Sequence, residues 1–324
     1  MTESAPYAPA GVIPAALTIF HDDYSIDLPA TRRHFRFLAE VPGISAITAN
    51  GHAAEVHALT FEEQQELLEA AVEEAAGRVR IVSGIYADGS LEAARLARMS
   101  ARAGASALLV FPPTTLMLGG ALRPEMALAH YGAVADAVDL PLILFQYPLG
   151  TGLGYPFETF TELVEKIPTI RAVKDWCNDP ALHDRHTRYV HARRRPVNML
   201  TTHSSWLMAS LTMGARGLLS GAGSVIADMQ VAMFEAIQAK DLARAQRINA
   251  LMLPITGAFY AEPFLDMHNR MKECLVMLGR APRAVVRPPL MKLATKEIAG
   301  LKRALKAARV GEAGTDIPTQ ETEQ

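Results

Sequence analysis

The sequence predicts an α/β protein, a (β/α)8 barrel of parallel strands with a helical extension at its C-terminal end. Three observations carry this. Short apolar runs with strand composition recur along the chain, each is followed by a longer stretch whose apolar residues have helical spacing, and the interval is about 30 residues, the length of one strand–helix unit. The runs occupy residues 11–17, 44–48, 80–85, 107–112, 142–147, 170–175, 197–202 and 217–221.

Each element has its own warrant. The first run, GVIPAAL, opens the barrel after a short tail at 1–10. In FEEQQELLEAAVEEAAGR, Leu67, Ala71 and Ala75 recur every fourth residue among charges, which marks an amphipathic helix covering the outside; SLEAARLARMSARAGA reads the same way. Gly43, Gly104, Pro141, Pro168, Pro196 and Gly214 stop the preceding helix before a strand begins. The runs ALLVF and LILF are apolar without alternation, as in strands buried on both faces of a parallel sheet. A doubly wound open sheet is the alternative topology. Three helical stretches are expected between 226 and 310. The boundaries are therefore a barrel over 11–235, a helical extension over 236–310 and a disordered polar tail at 311–324, GEAGTDIPTQETEQ.

Composition narrows the functions. With 32 basic and 34 acidic residues, a net charge of −2, the chain has no cationic excess with which to hold nucleic acid. No apolar stretch reaches the roughly 18 residues of a membrane span, and the N-terminus lacks a basic segment followed by an apolar run, so a cytoplasmic protein is expected. Cys177 and Cys274 are far apart and form no CxxC pattern, which fits a reducing compartment and excludes a zinc site built on cysteines.

Chemistry in such a barrel sits at the C-terminal ends of strands. There Lys174 interrupts an apolar run, and strand alternation puts it on one face with Ile170 and Ala172, the face assigned to the interior. An enclosed amine loses its proton more readily and becomes a nucleophile. On this pattern alone, a lysine at the mouth paired with Asp175 is an equal reading.

Five segments carry a resemblance to a known family. GVIPAALTIFHDDYSID is similar to the opening of the dihydrodipicolinate synthase and N-acetylneuraminate lyase family of Schiff-base barrels, with Ile19 in place of a proline. ANGHAAEVHALTFEEQ resembles the family's G-T-T-G-E loop and the following helix, LPLILFQYPLGTG its Tyr-Asn-x-Pro segment, and TIRAVKDW the strand bearing the Schiff-base lysine. GRAPRAVVRPPLMKL resembles the C-terminal region, so the likeness spans nearly the whole chain.

The resemblance implies that Lys174 forms an imine with pyruvate or a related 2-oxo acid, as an aldolase or dehydratase without metal or organic cofactor. It implies that the loop Gly51, His52, Ala53, Ala54, Glu55 holds the substrate carboxylate through backbone N–H groups, although both loop threonines are absent. His52 stands at the first relay threonine and is expected to move the proton, as an imidazole titrating near neutrality. The catalytic tyrosine is replaced by Phe145; Tyr147, two residues on and facing the same side, brings a hydroxyl back. Thr114 falls near the tyrosine that some relatives lend across a subunit interface, within a homotetramer built as a pair of dimers. Gly150 replaces the arginine with which synthases recognise a second carboxylate. His203 faces the distal end of the substrate, and Gly221 lies on the rim.

Two other readings remain at this level. One is a barrel that binds a 2-oxo acid as a sensor, without turnover. The other is a metal-dependent hydrolase using histidines of the region containing His183, His186 and His191, a stretch that reads instead as a solvated helix.

Overall fold

The computed structural model describes residues 7–311. β1 (Gly11–Pro14) leads through α1 (Leu28–Glu40) to β2 (Ala46–Ala49), and α2 (Phe61–Ala75) leads to β3 (Arg80–Ile85). The alternation continues with α3 (Ser90–Arg102), β4 (Ala107–Val110), α4 (Pro124–Ala137), β5 (Leu142–Gln146) and α5 (Phe157–Lys166). It is completed by β6 (Ile170–Asp175), α6 (Pro180–His191), β7 (Asn198–Thr201), α7 (Leu207–Thr212), β8 (Gly217–Ser220) and α8 (Gly223–Gln238).

All pairings are parallel and run in the order β1-β8-β7-β6-β5-β4-β3-β2. Bridges from Val12 to Ile44 and from Ala15 to Thr48 join β1 to β2, so the sheet closes into a (β/α)8 barrel. Closure between β1 and β8 depends on absent side chains: a Cβ at Gly217 would lie 2.3 Å from the carbonyl oxygen of Gly11. β2, β4, β5, β7 and β8 are buried along their whole length, as continuous apolar runs require.

Three of the outer helices, α1, α2 and α6, begin at side-chain caps that satisfy first-turn N–H groups. Thr60 Oγ1 accepts from the Glu63 N–H (3.2 Å), and Glu63 Oε2 accepts in return from the Thr60 N–H (2.9 Å). Asp27 Oδ1 caps α1 through the Ala30 N–H, and Asp179 Oδ1 caps α6 through those of Ala181 and Leu182.

The observed strands are shorter than several of the apolar runs because the chain leaves the ladder at the barrel mouth. Beyond β1, for instance, the Leu17 N–H meets His34 Nε2 (3.4 Å) and no strand. After β8 come four helices, α8 and then α9 (Leu242–Phe259), α10 (Met267–Met277) and α11 (Thr295–Ala307), where the sequence pattern suggested three. The stretch 279–294 separates the last two and contains Pro282, Pro288 and Pro289, whose missing N–H groups break helical pairing. The tail expected at 311–324 lies, apart from its first residue, outside the described residues. Among the described residues no helix is long and apolar enough to cross a membrane.

Candidate active site

Lys174 is the penultimate residue of β6 and lines a cavity of about 420 Å³ at the C-terminal mouth of the barrel. Only 5% of the residue is exposed, and burial lowers its pKa from 10.5 to about 7. Its Nζ sits 4.0 Å from the ring centroid of Phe145, its register partner on β5. Asp175 points to the other side of the strand. There its Oδ1 accepts from the Cys177 N–H (2.8 Å), and Oδ2 lies 2.7 Å from His183 Nδ1. Burial alone would raise the Asp175 pKa; the surrounding histidines outweigh it and hold the carboxyl well below its usual range. Pairing of Lys174 with Asp175 is thereby excluded. Among the described residues no carboxylate forms an ion pair with this lysine.

The loop after β2 faces Lys174. Its entry is tight: Asn50 adopts φ 54°, and a Cβ on Gly84 would come within 1.9 Å of the Asn50 carbonyl oxygen. A single 3-10 turn, His52–Ala54, follows, closed by Ala54 N–H to Gly51 O (3.1 Å) and Glu55 N–H to His52 O (2.9 Å). As at any helix start, the first N–H groups, those of His52 and Ala53, have no acceptor within the turn. Glu55 then takes φ 57° and is fully buried. Its Oε1 accepts from Lys272 Nζ, and Oε2 from the Arg287 N–H (2.9 Å). Lys272, also fully buried, donates in addition to Val285 O (2.7 Å); burial pushes its pKa down to about 8 against the opposing pull of Glu55.

His52 Nε2 lies 2.9 Å from the Tyr147 hydroxyl. The His52 ring opens onto the cavity but is otherwise enclosed. Burial, aided by the charge of Lys174, drives its pKa well below 6.5, so the ring is neutral at physiological pH and does not titrate near neutrality as the sequence suggested. Burial moves Tyr147 in the opposite direction, well above 10, so the phenol keeps its proton. The pair thus shares one hydrogen bond whose donor is set by the imidazole tautomer, an arrangement that can accept a proton at one end and release one at the other. Tyr147 itself stands behind His52; it packs on Phe145 (4.4 Å between centroids) and is not among the residues lining the cavity.

Of the other expected residues, Ala53, Phe145, His203 and Gly221 line the cavity. His203 Nε2 accepts from the Asn178 N–H (3.2 Å), which leaves the ring proton on Nδ1, directed at Thr201 Oγ1 (3.1 Å). Burial lowers its pKa to about 4, so His203 is a neutral wall. Gly51 starts the 3-10 turn without reaching the cavity. Thr114 is not brought into this chain's cavity either: its N–H and Oγ1 both bond Asp88 Oδ1, at 2.6 and 2.5 Å, on the loop after β4.

Sequence reasoning missed one whole wall. Trp176 stacks on Phe264 (5.0 Å, 18°), and Phe264 on Tyr260 (5.5 Å, 23°), with Met267 and Met271 beside them. Trp176 continues the alternation that places Lys174 inward, a signal available in advance; Tyr260 and Phe264 come from the link between α9 and α10, where no periodicity points at a site.

A further correction concerns α6. His183 and His186 are fully buried, on the face turned to the barrel, while the arginines of the helix take the opposite face. His186 stacks on Phe160 (4.1 Å), and its ring nitrogens make no hydrogen bond, although Nδ1 lies 3.6 Å from Asp175 Oδ2. Ligand atoms of Asp175, Cys177 and His186 lie within 4.8 Å of one another, a donor set of the kind that takes zinc. Cys177 therefore sits in a mixed cluster that a count of cysteines overlooks. This cluster is behind β6, away from Lys174, and no member of it lines the cavity.

An enclosed lysine whose pKa is lowered to about 7, at the mouth of a (β/α)8 barrel, defines a lyase of the class I aldolase type. A family model described as the dihydrodipicolinate synthetase family matches residues 8–308. The 4-hydroxy-tetrahydrodipicolinate synthase of Haloarcula marismortui is 30% identical over 297 residues, covering 91% of this chain and 92% of the relative. That of Laribacter hongkongensis is 31% identical and covers 93% and 99%. Among solved structures, dihydrodipicolinate synthase from Aquifex aeolicus matches with a TM-score of 0.84 at 23% identity, over 94% of this chain and 100% of its own. A prophage protein of the same family from Escherichia coli, solved with pyruvate, matches with a TM-score of 0.84 at 25% identity, over 93% and 99%. Within the lyase class, then, the chain belongs to the dihydrodipicolinate synthetase family.

Proposed function

We propose that the protein is a lyase that condenses Lys174 with pyruvate, or a 2-oxo acid containing it, and uses the imine as an electron sink for C–C or C–O bond cleavage or formation. The observation that carries this is an enclosed amine with a pKa of about 7, unprotonated in about half of the molecules at neutral pH. The amine nitrogen attacks C2, the former carbonyl oxygen takes one proton from that nitrogen and a second from solvent and leaves as water, and the protonated imine then acidifies the methyl group. The N–H groups of His52 and Ala53 hold the carboxylate, and the His52–Tyr147 pair takes and returns the methyl proton in place of the hydroxyl relay. Neither a metal nor an organic cofactor enters these steps.

The first test is borohydride reduction in the presence of pyruvate. A reduced adduct is expected on the peptide containing Lys174 and on no other, and none in Lys174→Ala; absence of adduct with every 2-oxo acid tried rejects the mechanism.

Phe145 favours a second reading, because the position at which relatives carry a phenol has no acid–base group. In that case the barrel binds a 2-oxo acid as a sensor. Exchange of the pyruvate methyl protons into deuterated water separates the two, since exchange requires a working base and binding does not. We place the enzyme in the cytoplasm, in keeping with two unpaired cysteines, and as a homotetramer, in keeping with the apolar residues exposed around the loops after β4 and β5.

A further inference from the structure

Resting on Lys174 as the imine-forming group, we infer that the second reactant is a neutral aromatic aldehyde, held against the Trp176–Phe264–Tyr260 stack. In the cleavage direction the substrate is the corresponding 4-aryl-4-hydroxy-2-oxo acid.

Aromatic packing is continuous from the amine outward, with Tyr147 behind the cavity wall joining the lining rings Phe145 and Trp176. Phe145 underlies Lys174 Nζ, Tyr147 packs on Phe145, and Trp176 meets Tyr147 edge to face at 5.3 Å before the stack continues through Phe264 to Tyr260. Trp176, Phe264 and Tyr260 are half-buried, so part of each ring remains free for a planar substituent in offset or edge contact. Met267 and Met271, with flexible thioethers, complete an apolar flank that adapts to the outline of a ring.

Charge argues the same way. Among the described residues lining the cavity, Lys174 is the one cation and Glu262, exposed at the rim, the one carboxylate, while His52 and His203 are neutral. A second carboxylate on the aldehyde would lose its hydration, find no cation and face Glu262. Aliphatic hydroxyl groups are confined to the edge formed by Thr202, Ser204 and Ser205, and the Tyr260 hydroxyl is engaged by the Ala222 N–H (3.1 Å), so a polyhydroxylated chain would leave much of its length unpaired against the aromatic flank. A cavity of about 420 Å³ accommodates the imine together with one ring.

The bond-forming step balances within the site. The enamine carbon derived from the pyruvate methyl joins the aldehyde carbon, and the carbonyl oxygen takes the proton that the His52–Tyr147 pair removed from that methyl. Water then hydrolyses the imine and returns the Lys174 amine.

The full-length protein is assayed by proton NMR with pyruvate and, in turn, benzaldehyde, glyceraldehyde and succinic semialdehyde, alongside borohydride trapping with pyruvate alone. kcat/KM for benzaldehyde is expected to exceed that for either competitor by about tenfold or more, the scale of discrimination by an apolar pocket. Phe264→Leu lowers that ratio and Phe264→Tyr restores it, with melting temperatures confirming that both variants fold. Trapping without benzaldehyde turnover, a preference for either competitor, or an unchanged ratio in Phe264→Leu overturns the aromatic assignment while leaving the imine in place. No trapping at all overturns the imine and, with it, this inference.

Discussion

A lysine that is half deprotonated at neutral pH makes its chemistry dependent on pH in a direction that can be worked out. Below about 7 the folded protein holds Lys174 as ammonium, so the rate of adduct formation at subsaturating pyruvate is expected to fall toward tenfold per pH unit on the acid side. Between about 7 and 10.5 the unfolded chain keeps a proton that the folded chain has released, so this residue alone makes stability rise with pH across that window. Stopped-flow trapping from pH 5 to 9 checks the first statement; a flat profile contradicts it. The His52–Tyr147 hydrogen bond gives a second expectation. His52→Ala should slow methyl-proton exchange by about 10²-fold or more while adduct still forms, and Tyr147→Phe should slow it by about tenfold, as loss of one supporting hydrogen bond allows. Equal exchange rates in His52→Ala and the parent protein would remove His52 from the relay. The inward placement of Lys174 was legible in advance because alternation along a strand is a local rule, whereas the role expected of it came from the family resemblance. The partnership of His52 with Tyr147 was not, because 95 residues separate them and only barrel closure brings the two rings together.

At the level of elements, the loop after β2 is held from outside the barrel. Fully buried Glu55 meets Lys272 of α10, and Arg287, whose N–H also bonds Glu55, clamps Glu63 of α2 through its guanidinium. Lys272→Met leaves the Glu55 charge enclosed without its cation and is expected to lower stability by about 3–5 kcal/mol, read from denaturant unfolding. A change below 1 kcal/mol would mean that Glu55 relaxes into water. The strands were legible because most are buried apolar runs, six of them preceded by a glycine or proline that stops the helix before. α6 was read wrongly as solvated because its buried stripe consists of His183, His186, Thr187 and Val190, polar in composition yet regular in spacing. Spacing decided the outcome, and composition misled.

For the whole molecule, the described surface carries an apolar cluster that a monomer would leave in water. Leu118 is 94% and Leu122 85% exposed, beside Met117 and Leu149, and the loops that bear them touch where Gly152 meets the Met117 backbone. Leu118→Asp combined with Leu122→Asp is expected to reduce the mass seen by light scattering, while a monomeric parent protein would refute the assembly we propose. The helices after β8 were legible as an excess over what closure needs, but their contribution to the cavity was not, because Tyr260 and Phe264 belong to no repeating pattern. That appended segment also carries Lys272, so two tasks share one piece of chain. Changes in α9, α10 and the link between them can retune which molecules are accepted without touching the strand that bears the nucleophile, whereas losing the segment would cost recognition and loop geometry together. Diversification in a protein built this way is easiest by substitution at Tyr260 and Phe264 and hardest by deletion.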